Sequence, residues 1–165
     1  CLRAALTGHL VLSTLHTNNS LQSINRLIDM GIEPFLLGPA LRLVEAQRLV
    51  RRLCSECKRP YEVPKDVAER YGLTLGVTLY RPGTGNCSRC RGSGYKGRVG
   101  LYEVIPISDG VRELIMQRSV VQKLHAAAKA EGTLFLEDSA REKVLAGLTS
   151  LEETEEYFGR NGGKE

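Results

Sequence analysis

The 165-residue chain has no tryptophan, three phenylalanines and six tyrosines, so only 5% of it is aromatic. Sparse rings count against a surface that holds nucleic acid by stacking bases. No apolar stretch approaches the roughly 20 residues that cross a bilayer as a helix. There is no initiator Met, and Cys1–Gly8 reads neither as a signal peptide nor as a natural start. It reads as the last turns of a helix with Gly8 just past its end, so a fragment lacking an upstream domain is expected. The chain holds no G-x-x-x-x-G-K-[ST], hence no phosphate cradle of that kind. No apolar strand ends in an Asp or Glu suited to hold Mg2+. No Ser-His-Asp or Cys-His arrangement follows from spacing, and nothing repeats beyond two cysteine pairs. A hydrophobic share of 42% and a charged share of 25% are those of a globular protein of one ordinary domain or two small ones.

Cysteine is where the chain is rich. Cys54-Ser55-Glu56-Cys57 and Cys87-Ser88-Arg89-Cys90 are two C-x-x-C knuckles separated by 29 residues. Each knuckle points two thiolates at one point, and two knuckles supply the four soft ligands of a tetrahedral zinc site. Four protein ligands leave no position for water, so such a site is structural rather than catalytic. Metal in a reducing compartment is the reading of this spacing, with disulfides as the alternative. Cys1 stands outside the pattern.

Charge is uneven. The net charge is +4, but residues 1–130 hold 19 Lys and Arg against 10 Asp and Glu, while residues 131–165 hold 4 against 9. Arg48, Arg51, Arg52, Lys58 and Arg59 crowd the first knuckle, and Arg81, Arg89, Arg91, Lys96 and Arg98 the second. Two readings stay open: a solvated surface that offsets thiolate charge, or a docking patch for an acidic partner or nucleic acid.

Leu10–Leu15 is a short apolar run after a helix end, as a buried parallel strand reads. Asn19 or Ser20 can cap a helix from Leu21 to Met30, whose Leu21, Ile24, Leu27 and Ile28 form one stripe ended by Gly31. Pro34 can start a second helix, interrupted at Gly38-Pro39 and continued over Ala40–Ala46. Gln47–Leu53 reads as a strand. Residues 58–86 read as irregular, with a short strand near Val77–Arg81. Arg98–Ile107 is a strand pattern. Helices follow over Asp109–Gln117, Val120–Glu131, Leu134–Ala146 and Leu151–Phe158, with Ser150 to Glu153 as a capping box for the last. Gly162-Gly163 marks a loose tail. The order helix, strand, polar loop, helix is the α/β pattern.

Ligands of α/β sheets bind at the carboxyl ends of strands. A strand ending Thr14-Leu15-His16-Thr17-Asn18 puts hydroxyl, imidazole and amide groups at such an edge, where they can hydrogen-bond a phosphate, a water or a carboxylate. His9 precedes the run. The alternative is that His9 and His16 are ordinary loop histidines and that Thr17 and Asn18 form a turn.

Thr7-Gly8-His9-Leu10-Val11-Leu12-Ser13-Thr14-Leu15-His16-Thr17-Asn18 resembles the histidine box of the ATPases of type II secretion and type IV pilus assembly. The resemblance continues through Arg26–Phe35, Gln47–Cys54, the second knuckle, Gly97-Arg98-Val99-Gly100-Leu101-Tyr102-Glu103-Val104 and Gly147–Glu153. Gly38-Pro39 and Arg42–Glu45 depart from the small and apolar residues usual there. The tetracysteine insert resembles that of secretion and pilus-extension members.

The resemblance implies an α/β fold: the C-terminal part of a RecA-like P-loop ATPase domain with a tetracysteine zinc insert and a C-terminal helical subdomain. It divides the chain into 1–53 (end of the ATPase core), 54–97 (zinc insert), 98–107 (a strand returning to the core), 108–160 (helical subdomain) and 161–165 (tail). It implies a homohexamer with ATP and Mg2+ at subunit interfaces, held mainly by residues upstream of Cys1, so this fragment alone is expected to be inactive. His16 would sense the γ-phosphate state, His9 would support that loop, and Thr17 and Arg48 would lie at the nucleotide. Cys54, Cys57, Cys87 and Cys90 would hold Zn2+. Implied partners are an inner-membrane platform protein and other secretion or pilus components, with cytoplasmic localisation, peripheral attachment to the inner membrane through those partners, and no nucleic acid. Two rivals remain. Cys87–Gly94 resembles one repeat of the zinc region of J-domain chaperones, which carry four. A zinc-ribbon module binding protein or nucleic acid without catalysis also fits the basic surroundings.

Overall fold

A computed structural model describes residues 2–158; Cys1 and the tail with its Gly162-Gly163 pair lie outside the described residues. In chain order the elements are α1 (Leu2–Leu6), α2 (Ser20–Asp29), α3 (Pro34–Ala40), β1 (Leu43–Leu53), β2 (Arg59–Glu62), α4 (Lys65–Arg70), β3 (Thr78–Arg81), β4 (Tyr95–Pro106), α5 (Asp109–Met116), α6 (Val121–Ala130), α7 (Leu136–Leu145) and α8 (Leu151–Thr154), followed by a 3-10 turn over Glu155–Tyr157. Two compact units form, each from two stretches of chain: Cys1–Gln47 with Tyr102–Phe135, and Arg48–Leu101 with Leu136–Glu165.

The first unit is helical around the start of β1 and the end of β4. Helix α2 begins where Asn19 turns extended and its side chain accepts from the Gln22 amide at 2.8 Å. That hydrogen bond satisfies one of the orphan donors of the first turn, and Asn19 rather than Ser20 supplies it. Leu21 and Ile24 bury the apolar stripe against Leu37 of α3, Ile115 of α5 and Leu124 of α6. Pro34 starts α3, and the helix ends at Ala40, one residue past Pro39. The expected continuation over Ala40–Ala46 does not occur. Leu41 is already extended, and β1 starts at Leu43. Alternation explains it: Val44, Ala46, Arg48 and Val50 turn one way and are partly or fully buried, while Leu43, Glu45, Gln47 and Leu49 are exposed.

Leu10–Leu15 is not a strand either, and Leu10 and Leu12 are 85% and 87% exposed. Among the described residues the sheets are two pairs, β1 with β4 and β2 with β3. A parallel strand needs a neighbour for its hydrogen bonds and helices over its faces, and none is present there. The mixture of helix and strand fits the α/β expectation; a parallel sheet is absent from the described residues.

In the second unit β2 and β3 pair antiparallel, with Arg59 opposite Arg81 and Glu62 opposite Thr78. Between them lies α4, which the Pro- and Gly-rich composition of residues 58–86 concealed. Pro64 precedes it in an extended conformation, and Ala68 packs into the core with Val63, Leu79, Ala140 and Val144. A proline that breaks a helix is also well suited to precede one. The expected capping box at Ser150 is not made. The Ser150 hydroxyl pairs instead with the Tyr95 hydroxyl at 2.8 Å, and the Glu153 carboxylate accepts from the Arg51 backbone N–H at 3.2 Å and from its guanidinium.

Candidate metal centre and histidine loop

The four cysteines converge in the second unit. The first knuckle begins where β1 ends, and Lys58 N–H closes it on the Cys54 carbonyl at 3.0 Å before β2 starts. The second is closed by Gly92 N–H on the Cys87 carbonyl at 3.3 Å and by the Ser93 amide and hydroxyl on the Cys90 carbonyl. Gly94 joins the two: its carbonyl accepts from Cys54 N–H at 2.9 Å and its N–H donates to the Cys90 sulfur at 3.3 Å. Gly94 has φ of 75°, and a side chain there would meet Pro82 at 2.4 Å, so glycine is required on both counts.

All four sulfurs lie within 4.8 Å of one another. Cys54 and Cys87 are 3.8 Å apart, Cys57 and Cys90 3.6 Å, and all are free thiols. Zinc–sulfur bonds of about 2.3 Å in a tetrahedron set sulfurs about 3.8 Å apart. A disulfide needs about 2.05 Å. The donor set and its spacing are therefore compatible with zinc. Burial, with the Cys90 thiol beside it, pushes the Cys57 thiol up to about 12. Cys90 goes the other way, to about 6: burial opposes its thiolate, but the Gly94 N–H and the Cys57 and Cys87 thiols outweigh it. Negative charge in the cluster is thus favoured first on Cys90.

Residues 147–153 clamp this region. Lys58 donates to the Gly147 carbonyl at 2.8 Å and lies over the Tyr80 ring. Leu53 N–H donates to the Leu148 carbonyl, and the Thr149 hydroxyl to the Arg51 carbonyl, both at 2.9 Å. Arg51 lies 4.2 Å over the Tyr95 ring. At least four of the ten basic residues named around the knuckles make internal contacts: Arg51 with Glu153 and Tyr95, Lys58 with Gly147 and Tyr80, Arg89 with Glu56 at 3.1 Å and Arg81 with Tyr61.

The histidine segment lies in the first unit. His9 is exposed, with its Nδ1 3.2 Å from the Thr7 hydroxyl. His16 is exposed a few residues before α2. Thr17 is tied back to the helix, its hydroxyl 2.7 Å from that of Ser23. Asn18 N–H donates to the Gln22 side chain at 3.3 Å. Ser20 N–H donates to Glu103 on β4 at 3.0 Å, and the Ser20 hydroxyl bonds the same carboxylate oxygen. Arg48 is half-buried on β1 in the second unit.

The family model described as "Type II/IV secretion system protein" matches residues 1–156. The chain belongs to that family. Among relatives of this secretion-family chain, type II secretion system protein E of Dickeya dadantii is 47% identical over 151 residues, covering 92% of the chain and 30% of the relative. The type IV pilus assembly ATPase PilB of Myxococcus xanthus is 45% identical over 157 residues, covering 92% and 27%. Type II secretion system ATPase E of Vibrio cholerae is 42% identical over 151 residues, covering 92% and 30%. The chain thus spans about 30% of the length of these relatives.

Sequence reasoning about this secretion-family chain left Glu103 without a role. Its signal was present: Leu101, Glu103 and Ile105 alternate along β4, so the carboxylate falls on the apolar face, 3% exposed. The clamp over residues 147–153 had no comparable signal, because its bonds use backbone carbonyls that any sequence offers. No helix among the described residues is long and apolar enough to cross a membrane.

Proposed function

We propose that this chain is the histidine-box and metal-binding part of a hexameric motor that converts ATP hydrolysis into type II secretion or pilus assembly. The observation that carries the reading is the family match over residues 1–156, together with relatives named as secretion and pilus-assembly ATPases. On this reading residues 1–53 close a RecA-like core, 54–97 form a zinc insert, 98–107 return to the core and 108–160 form a helical subdomain. ATP and Mg2+ bind chiefly to parts of the protein outside this chain, which alone does not hydrolyse ATP.

His16 is the residue proposed to respond to the γ-phosphate. Its exposure at the head of α2 leaves the imidazole able to donate to an anion. Thr17 and Arg48 are each assigned to contact the nucleotide, and His9 to support the segment. Loss of the γ-phosphate then shifts a two-state interface between subunits. Cys54, Cys57, Cys87 and Cys90 hold one structural zinc, for which the thiolate donor set and its spacing are the support. The motor works in the cytoplasm, attached peripherally to the inner membrane through a platform protein, and binds no nucleic acid.

The test is His16→Ala in the full-length protein. Nucleotide affinity stays close to normal while turnover falls; unchanged ATPase and assembly activity would refute the assignment. Elemental analysis tests the metal: one zinc per chain in metal-replete protein, lost with Cys57→Ser.

A further inference from the structure

A carboxylate on the apolar face of a strand is costly unless hydrogen-bonded. Glu103 sits between Leu101 and Ile105, both fully buried, and meets that cost through Ser20, whose N–H and hydroxyl both bond its Oε1. Ser20 is itself fully buried and is the first residue of α2. The helix already has its cap, since Asn19 accepts from Gln22. Glu103 therefore adds something a cap does not: it pins the positive end of α2 to a particular point on β4. The segment carrying His16 is built on that same first turn, through Thr17 to Ser23 and Asn18 to Gln22.

We infer that Glu103 is a positioning residue that fixes the His16 segment by anchoring the first turn of α2 to β4. This rests on the reading of His16 as the nucleotide-responsive group. A carboxylate in this place is matched by an amide, whose oxygen still accepts from both Ser20 donors, and is not matched by a methyl group. Because the anchor acts through position and not through substrate contact, its loss lowers kcat and leaves the KM for ATP nearly unchanged.

The experiment uses the full-length protein. Glu103→Ala lowers kcat by roughly tenfold with KM within about twofold, as expected for a misplaced group rather than a lost binding contact. Glu103→Gln recovers most of the turnover. In a double variant with His16→Ala, kcat falls no further than with His16→Ala alone, because the two act as a unit. Amide hydrogen exchange speeds up over residues 16–23 in Glu103→Ala and not in the core of the second unit. The inference is overturned if Glu103→Ala turns over normally, if Glu103→Gln is as impaired as Glu103→Ala, or if the two losses multiply. Should Glu103→Ala not fold, Ser20→Ala, which removes only the hydroxyl donor, takes its place: a smaller loss of kcat with local exchange supports the anchor, and neither change refutes it. If His16→Ala is fully active the reading of His16 fails, and the exchange of residues 16–23 still decides whether Glu103 holds them.

Discussion

Gly83→Ala should open the proposed metal centre by crowding its first knuckle. Gly83 is buried, and its φ lies outside the left-handed region that favours glycine. The obstacle is space. An added Cβ would lie 1.9 Å from the Cys57 carbonyl oxygen, 2.8 Å from its carbonyl carbon and 3.0 Å from its Cβ. Ordinary contact begins near 3.4 Å, so the first knuckle must retreat by about 1.5 Å. Backbone cannot swing aside as a long side chain can. Zinc–sulfur distances tolerate about 0.2 Å, so a retreat of that size would remove Cys57 from the proposed ligand set. Overpacking of this kind costs about 1–3 kcal/mol in addition. The assay is zinc content per chain after exposure to a mild chelator, with the urea midpoint measured on the same samples. The exposed neighbour Thr84→Ala serves as control. Wild type and Thr84→Ala should keep one zinc, while Gly83→Ala loses it and unfolds earlier. If Gly83→Ala holds its metal as firmly as wild type and unfolds at the same midpoint, the packing argument is wrong.

Two further outcomes follow from the clamp. The Arg51 guanidinium and backbone N–H hold the Glu153 carboxyl below the usual carboxylate range. A depressed folded pKa gives stability that is fully present above the unfolded value, about 4.3, and is lost as pH falls through the folded one. The stability gap between wild type and Glu153→Gln should therefore be widest near neutrality and close on acidification, and a gap independent of pH would contradict the pairing. The gap should be small and salt-sensitive, because the Arg51 side chain is 60% exposed. Separately, Tyr95→Phe and Ser150→Ala should each cost about 1 kcal/mol, and the double variant no more than the larger single loss, since both remove one hydrogen bond. Additive losses in urea unfolding would show that the hydroxyls act apart.

What could be read from the sequence was local. The convergence of the knuckles was legible because each C-x-x-C turn brings its two sulfurs to one point, and the four sulfurs do cluster. Helix α2 was legible because Asn19, an apolar stripe and Gly31 agree. The failures come where a distant partner decides. Leu10–Leu15 carries a strand's composition but lacks a neighbouring strand among the described residues. Residues 43–46 pass for a helix until β4 offers a ladder. Ser150 and Glu153 spell a capping box, yet Tyr95 and Arg51 bind them first, across more than fifty residues of chain. Glu103 could have been found by asking which strand position breaks its own alternation.

The clamp bears on how the cysteine segment could be moved between proteins. Residues 54–97 include all four thiols, so they look portable as a cassette. Yet the strand feeding the first knuckle is held by Leu148 and Thr149, and Lys58 closes on Gly147. Transplanted alone, the cassette would carry its ligands without the surface that keeps their spacing. A working graft would have to bring the 147–153 segment with it.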